Sequence, residues 1–198
     1  MNLFGIKAYR RRGKKFKRTK NIKVIYPNYL MTTSPTYENH IWTSDFTYLP
    51  FHGKVIYVAT VMDIYTRKIV GLSVYTTHAV QLTLSAFMNA ILTNARPEIY
   101  HSDNGSEYNA KIFIEALKTV GVKISRSAPR CPWENGYQES FYSQFKVDLG
   151  YWSRFKNIGE LVFAVYQTIW QYNNTRIHSA LKMSPVQFAQ KIAKSYYI

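Results

Sequence analysis

Between Ile41 and Tyr75, three runs rich in β-branched and aromatic residues are separated by connections of only a few residues. That spacing limits the fold more than any other feature of the chain. Ile41-Trp42-Thr43-Ser44-Asp45-Phe46-Thr47-Tyr48-Leu49 is stopped by Pro50, and His52-Gly53-Lys54 makes a turn. Val55 to Met62 follows as a nearly continuous apolar strand, Asp63-Ile64-Tyr65-Thr66-Arg67 turns again, and Lys68 to Tyr75 is the third strand. Connections this short cannot hold a crossover, so the three strands form an antiparallel meander. The second half has another rhythm. Val80 to Asn94 sets Leu84, Phe87, Met88 and Ile91 at helical spacing, and Glu98-Ile99-Tyr100-His101 is a short strand beyond Pro97. Asn109 to Val120 is helical, with Ile112, Phe113, Ala116, Leu117 and Val120 on one side; after Gly121, Val122-Lys123-Ile124-Ser125 is a fifth strand. Helices are expected from about Trp133 to Leu149, Ile158 to Tyr172 and Pro185 to Ala193. Helices joining the later strands suit parallel crossovers. The fold class is therefore α/β, a mixed five-stranded sheet with helices on both faces.

Charge adds a partner to this fold. The chain has 198 residues, enough for one domain, and a formal net charge of +15. Such an excess points to a polyanion, most commonly nucleic acid. Ten of the 26 basic residues fall between Lys7 and Lys23, among them Arg10, Arg11, Arg12, Lys14 and Lys15. The remainder is left with 16 basic against 11 acidic residues. Residues 1–36 thus read as a basic arm that grips phosphates, and 37–198 as the folded body. No apolar run reaches membrane-spanning length and no targeting signal precedes the body, so the expected location is the cytoplasm. Cys131 is the only cysteine. It excludes an intramolecular disulfide, argues against a thiolate zinc site, and reads as a loop residue.

Three acids stand out, each with a bland alternative. Asp45 interrupts an apolar and aromatic strand on the face shared by Thr43 and Thr47, where burial demands a partner, and a salt bridge would serve. Asp103 follows the fourth strand in His101-Ser102-Asp103-Asn104-Gly105-Ser106, at a carboxyl end where such sheets place ligands, although Asp-Asn-Gly is also good turn chemistry. Glu139 lies in a helix. At about 100° per residue, Asn135, Glu139, Tyr142, Ser143 and Lys146 share one face while Tyr137, Phe141, Phe145 and Leu149 take the other, which is expected to pack on the sheet. A solvated Glu-to-Lys pair is the simple account of that first face. If the three acids meet, they offer only oxygen ligands, which suits Mg²⁺ or Mn²⁺, and two such ions can drive an in-line phosphoryl transfer. Asp63, in the turn after the second strand, reads as turn chemistry.

Four blocks in order resemble the integrase-type core of bacterial insertion-sequence transposases, nearest to insertion-sequence family three, the product of its second reading frame. They are Trp42 to Tyr48, His101 to Tyr108, Pro132 to Phe141, and Tyr172-Asn173-Asn174-Thr175-Arg176-Ile177-His178-Ser179-Ala180-Leu181 followed by Ser184-Pro185. The 35 residues between Asp103 and Glu139 are that family's spacing, and Lys146 falls seven after the Glu, where the family has Lys or Arg. Glu134 stands where many relatives carry Asp. The resemblance implies a ribonuclease-H-like fold, with Asp45, Asp103 and Glu139 as a catalytic metal triad. It implies that Lys146 contacts DNA near the reacting end, and that Asn135, Arg176 and His178 support the site or the DNA path. The expected activity is cleavage at transposon ends and transfer of the freed 3′ hydroxyl to target DNA, by copies of the chain assembled on DNA. A DNA-binding remnant without catalysis, or a simple nuclease on the same fold, are the alternatives. Relatives carry or acquire a helix-turn-helix region ahead of the core. The first twelve residues resemble only its tail, so end recognition is expected to involve an upstream-frame DNA-binding protein.

Overall fold

The computed structural model describes residues 26–129 and 131–195. Its strands are β1 (Ile41–Phe51), β2 (Lys54–Asp63), β3 (Ile69–Tyr75), β4 (Ile99–Ser102) and β5 (Lys123–Arg126). The helices are α1 (Val80–Thr93), α2 (Lys111–Thr119), α3 (Gly136–Leu149), α4 (Ile158–Asn174) and α5 (Pro185–Ser195). The sheet order is β3-β2-β1-β4-β5, antiparallel through the first three strands in sequence and parallel where β4 joins β1 and β5 joins β4. Among the described residues, no helix is long and apolar enough to cross a membrane.

The first hairpin closes through His52 and Gly53, both at positive φ, between Phe51 and Lys54. Two left-handed residues match the twist of the strands they join. Pro50 does not stop β1 as expected; it lies inside the strand, opposite Val55. The reason is an open edge. On its other side β1 pairs with β4 only from Ile41 to Thr43, so near Pro50 that edge has no ladder for a missing N–H to break.

Alternation along β1 and β2 makes two cores. Leu49, Ile56 and Val58 pack against Phe141, Phe145, Val165 and Ile169 of α3 and α4, and Trp42, Ala59 and Val61 pack with Phe87, Phe113 and Leu117 of α1 and α2. The buried face of α1 is Leu82, Thr83, Ala86, Phe87 and Ala90, while Met88, expected inward, is exposed. Gly71 explains the rotation. A Cβ there would lie 2.2 Å from the Ala86 carbonyl oxygen and 2.8 Å from Ala90 Cβ, so α1 approaches β3 through its smallest residues. In α2 only Phe113 and Leu117 are buried, and Ile112 is exposed.

The segment from Tyr26 packs on the β5 side of the sheet. Arg126 N–H donates to the Pro27 carbonyl, Tyr29 N–H to Ser125 Oγ, and Asn28 Nδ2 to Glu134 Oε2. The basic residues Arg10, Arg11, Arg12, Lys14 and Lys15 lie outside the described residues.

Candidate active site

The parallel ladder relates the two strands that lead to the first two acids. Ile41 pairs with Ile99, Trp42 with Tyr100 and Thr43 with His101, a constant offset of 58. β4 ends at Ser102, so Asp103 is one residue past the strand; the same offset carried onward points to Asp45, which lies on the face of β1 shared by Thr43 and Thr47. That face looks toward α3. One Asp45 carboxylate oxygen accepts the Phe46 N–H at 2.8 Å, and Asp103 Oδ1 accepts the Gly105 N–H at 2.9 Å, so each acid is oriented by backbone.

Glu139 arrives on the first turn of α3, exposed, and three buried polar residues beside it clamp that turn to the sheet. Asn135 accepts the Thr43 hydroxyl at 2.6 Å. Gln138, fully buried, donates to the Thr43 carbonyl at 2.8 Å and accepts the Thr60 hydroxyl at 3.0 Å. Tyr142 donates to the carbonyl of Asp45 itself at 2.6 Å, and Thr60 sits opposite Asp45 in the ladder. Helix and strand are therefore locked at the residue that carries the first acid. This phase differs from the sequence expectation: Asn135 and Tyr142 do not share an outward face with Glu139 but turn to the sheet, and Tyr137 turns partly to solvent. Asn135 is only 4% exposed and its side chain bonds to β1, which ties the start of the helix to the sheet.

Burial dominates the electrostatics of the two aspartates, and neighbouring carboxylates add to it. Burial pushes the Asp45 carboxyl up to about 7, with the charges of Asp103 and Glu139 adding to the shift and the Phe46 N–H opposing it. Asp103 is raised too, by burial first, with Glu107 adding and the Gly105 N–H and Arg126 opposing. Among the described residues, no salt bridge neutralises Asp45, Asp103 or Glu139, and no three His, Cys, Asp or Glu side chains are drawn close enough to hold an ion between them. The donor set fits a hard divalent cation: carboxylate oxygens only, mutually repelling, and without a neutralising partner.

Two charged neighbours of Asp103 are buried. Glu107 has its Oε1 3.0 Å from His78 Nε2, and it accepts the Ser106 hydroxyl. A Cβ on Gly105 would lie 3.0 Å from both Asp103 Oδ1 and Glu107 Oε2, so glycine is what lets the two carboxylates close around this loop. Arg126, only 1% exposed, donates to the Tyr108 and Ser125 carbonyls and is the buried positive charge acting on Asp103. Nothing in periodicity marks either residue. Glu134 holds the approach to α3 by accepting the Ala128 N–H at 2.6 Å together with Asn28. Asp63 caps its own turn as expected, accepting from Tyr65 N–H and from the Thr66 hydroxyl. Cys131 lies in the loop before α3.

The remaining expected contacts are spread around α3. Lys146 Nζ stands 5.5 Å from the ring centroid of exposed Tyr48 on β1. Arg176 pairs through Nη1 with Asp148 at the end of α3, and His178 forms an isolated bridge with Met183 while its Nδ1 accepts the Ala180 N–H.

Known proteins resemble this chain in sequence and in fold. Residues 35–132 match the integrase core domain family, and residues 120–185 match a second integrase core domain family. The transposase for insertion sequence element IS904 of Lactococcus lactis is 32% identical over 187 residues, covering 92% of this chain and 71% of that protein. Transposase InsF for insertion sequence IS3A of Escherichia coli is 31% identical over 157 residues, covering 77% of this chain and 54% of that one. In fold, the HTLV-2 integrase catalytic core domain in complex with magnesium superposes with a TM-score of 0.67 at 21% identity, over 79% of this chain and 99% of that chain. A chain of the simian T-cell lymphotropic virus intasome in complex with PP2A regulatory subunit B56 gamma gives 0.71 at 20% identity, over 77% of this chain and 55% of that chain. The ribonuclease-H-like fold, the sequence relatives and the order of the blocks agree: this chain belongs to the bacterial insertion-sequence transposases of the IS3 type, and its described body is their integrase core.

Proposed function

We propose that Asp45, Asp103 and Glu139 form the catalytic triad of this transposase core and hold Mg²⁺ or Mn²⁺, two ions in the working complex. The observation that supports the reading is the β1–β4 register, whose offset, carried two residues past Thr43 and His101, points from Asp45 to Asp103. The raised Asp45 carboxyl supports it, since uncompensated negative charge at one spot is what a divalent cation relieves. When bound, such ions activate the attacking oxygen and stabilise the leaving one.

The protein's own contribution is orientation. The Phe46 and Gly105 amides aim the two aspartates, while Asn135, Gln138 and Tyr142 fix the helix turn that presents Glu139. The proposed reaction has two steps. Water breaks a phosphodiester at the transposon end, leaving a 3′ hydroxyl, and that hydroxyl then attacks a target phosphodiester, joining the strands and releasing a new 3′ end. Neither step needs a covalent protein intermediate. Lys146 and the basic arm, with Arg10, Arg11, Arg12, Lys14 and Lys15, are proposed to hold the DNA backbone. Copies of the chain are proposed to assemble on transposon ends and target in the bacterial cytoplasm, with an upstream-frame DNA-binding protein contributing end recognition.

The test uses labelled end DNA with Mg²⁺, comparing the chain with Asp103→Asn. Cleaved and joined products from the wild type alone are expected. Equal product from both proteins sinks the triad, and cleaved product with no joined species assigns a simple nuclease.

A further inference from the structure

We infer that the cleft between α3 and the 176–179 segment binds a phosphate of the DNA backbone, with Arg67 as its principal cation. The inference rests on the DNA-processing reading above and adds a residue to it. The cleft has a volume of about 560 Å³, and its polar lining includes Arg67, Tyr137, Ser140, Ser143, Arg176 and His178, with no acidic side chain.

Arg67 is built into this cleft. It closes the β2–β3 turn at a φ of 63°, a left-handed conformation unusual for a long side chain, and Tyr172 Oη donates to its carbonyl at 3.0 Å. Its guanidinium carbon lies 4.2 Å from the Tyr137 ring centroid, which fixes the plane of the group. Its Nε is buried without an acceptor, and among the described residues the guanidinium makes no ion pair. Arg176 differs, because Asp148 already neutralises it. A half-buried guanidinium that lines a cleft and makes no ion pair is matched by an anion, and a tetrahedral oxyanion suits its fork. His178 adds no charge of its own here: burial lowers its pKa, and the fields of Arg67 and Arg176 lower it further.

The position selects a phosphodiester over a free ion. Ser140 and Ser143 line the cleft from the face of α3 next to Glu139. A strand whose reacting phosphate lies at Glu139 therefore runs on past these hydroxyls to Arg67. The sequence reading had assigned Arg67 to a turn and nothing more.

The experiment measures binding of a labelled duplex by fluorescence anisotropy in EDTA, where no cleavage occurs, from roughly 50 to 300 mM salt. Arg67→Asn removes the charge and tolerates the left-handed backbone; Arg67→Lys keeps the charge. The slope of log K against log salt is expected to fall by about 0.9 in Arg67→Asn and to hold in Arg67→Lys. On the wild type, bound DNA is expected to protect Arg67 from phenylglyoxal, read by peptide mass; this decides the matter if Arg67→Asn does not fold. An unchanged slope in folded Arg67→Asn, or full reactivity of Arg67 in the complex, overturns the inference while DNA binding stands. Tighter binding of inorganic phosphate than of DNA also overturns it. A wild type that binds no DNA removes the underlying reading as well.

Discussion

Replacing Gln138 with methionine tests whether the polar clamp under α3 sets the active site. Met fills nearly the same volume but removes both a donor and an acceptor from a fully buried position. The Thr60 hydroxyl keeps a partner, because Tyr142 Oη lies 2.8 Å from it. The Thr43 carbonyl loses the 2.8 Å bond from Gln138 Nε2. One lost interior bond costs about 1 kcal/mol, because the Thr43 carbonyl keeps its place in the β1–β2 ladder opposite Met62, and this lowers Tm by roughly 2–4 °C in a domain of this size. The functional effect is expected to be larger than that loss implies. Glu139 is the next residue, and a displacement near 1 Å in a reacting constellation can reduce rate by about 100-fold. End cleavage assayed at about 25 °C, where the variant is still folded, is expected to fall by roughly 10- to 100-fold with DNA affinity unchanged. Thermal unfolding by circular dichroism and a cleavage gel give both readouts. A lowered Tm with full cleavage would refute the argument that the clamp positions Glu139, and an unchanged Tm would refute the clamp itself.

Two further outcomes follow from the site and the core. Asp45→Asn keeps the acceptor for the Phe46 N–H but removes a charge that the fold disfavours. Because the folded value is raised, the cost is absent below the ordinary carboxylate range, grows as pH rises toward 7, and is full above it. At about pH 8 it is on the order of 4 kcal/mol as an upper bound, and nearer 2 once solvent reaching a partly buried group is counted. In EDTA the variant is therefore expected to melt higher than wild type at about pH 8 and almost equally at about pH 4.5, while saturating Mg²⁺ stabilises only the wild type. An equal difference at both pH values contradicts this. Gly71→Ala places a methyl group against the Ala86 carbonyl and is expected to destabilise by about 2–3 kcal/mol, read as a lowered urea midpoint; an unchanged midpoint means that α1 has room to move.

The antiparallel meander was legible because short turns leave no other geometry, and the turn at His52-Gly53 needed only local chemistry; the side on which β4 and β5 join it was not. The phase of the helices was not. Counting apolar residues put Met88 inward, whereas Gly71 admits the Ala86–Ala90 side; the controlling residue is on another strand. The same method turned Tyr142 and Asn135 outward with Glu139. It failed because the sheet surface under this turn is itself polar, offering Thr43, Thr60 and strand carbonyls, so α3 buries hydrogen-bonding groups there instead of apolar ones. Asp45 and Asp103 were found as motif residues, yet their adjacency depends on a register that no local pattern encodes. Glu107 and Arg67 carry no such signal because a charged residue in a turn is ordinarily solvated, and only tertiary packing buries the Glu107 carboxylate and the Arg67 Nε.

The β1–β4 offset works as a ruler laid across the sheet and not along the chain. Residues added between Tyr75 and Val80, or between Asn94 and Glu98, lengthen the path from Asp45 to Asp103 without moving the two apart. A slip of β4 by a single residue leaves that path unchanged and turns Asp103 to the opposite face. Insertions in the crossover are thus tolerable to the chemistry in a way that pairing errors are not. The helix between these strands can be rebuilt, lengthened or exchanged so long as Ile41 still meets Ile99.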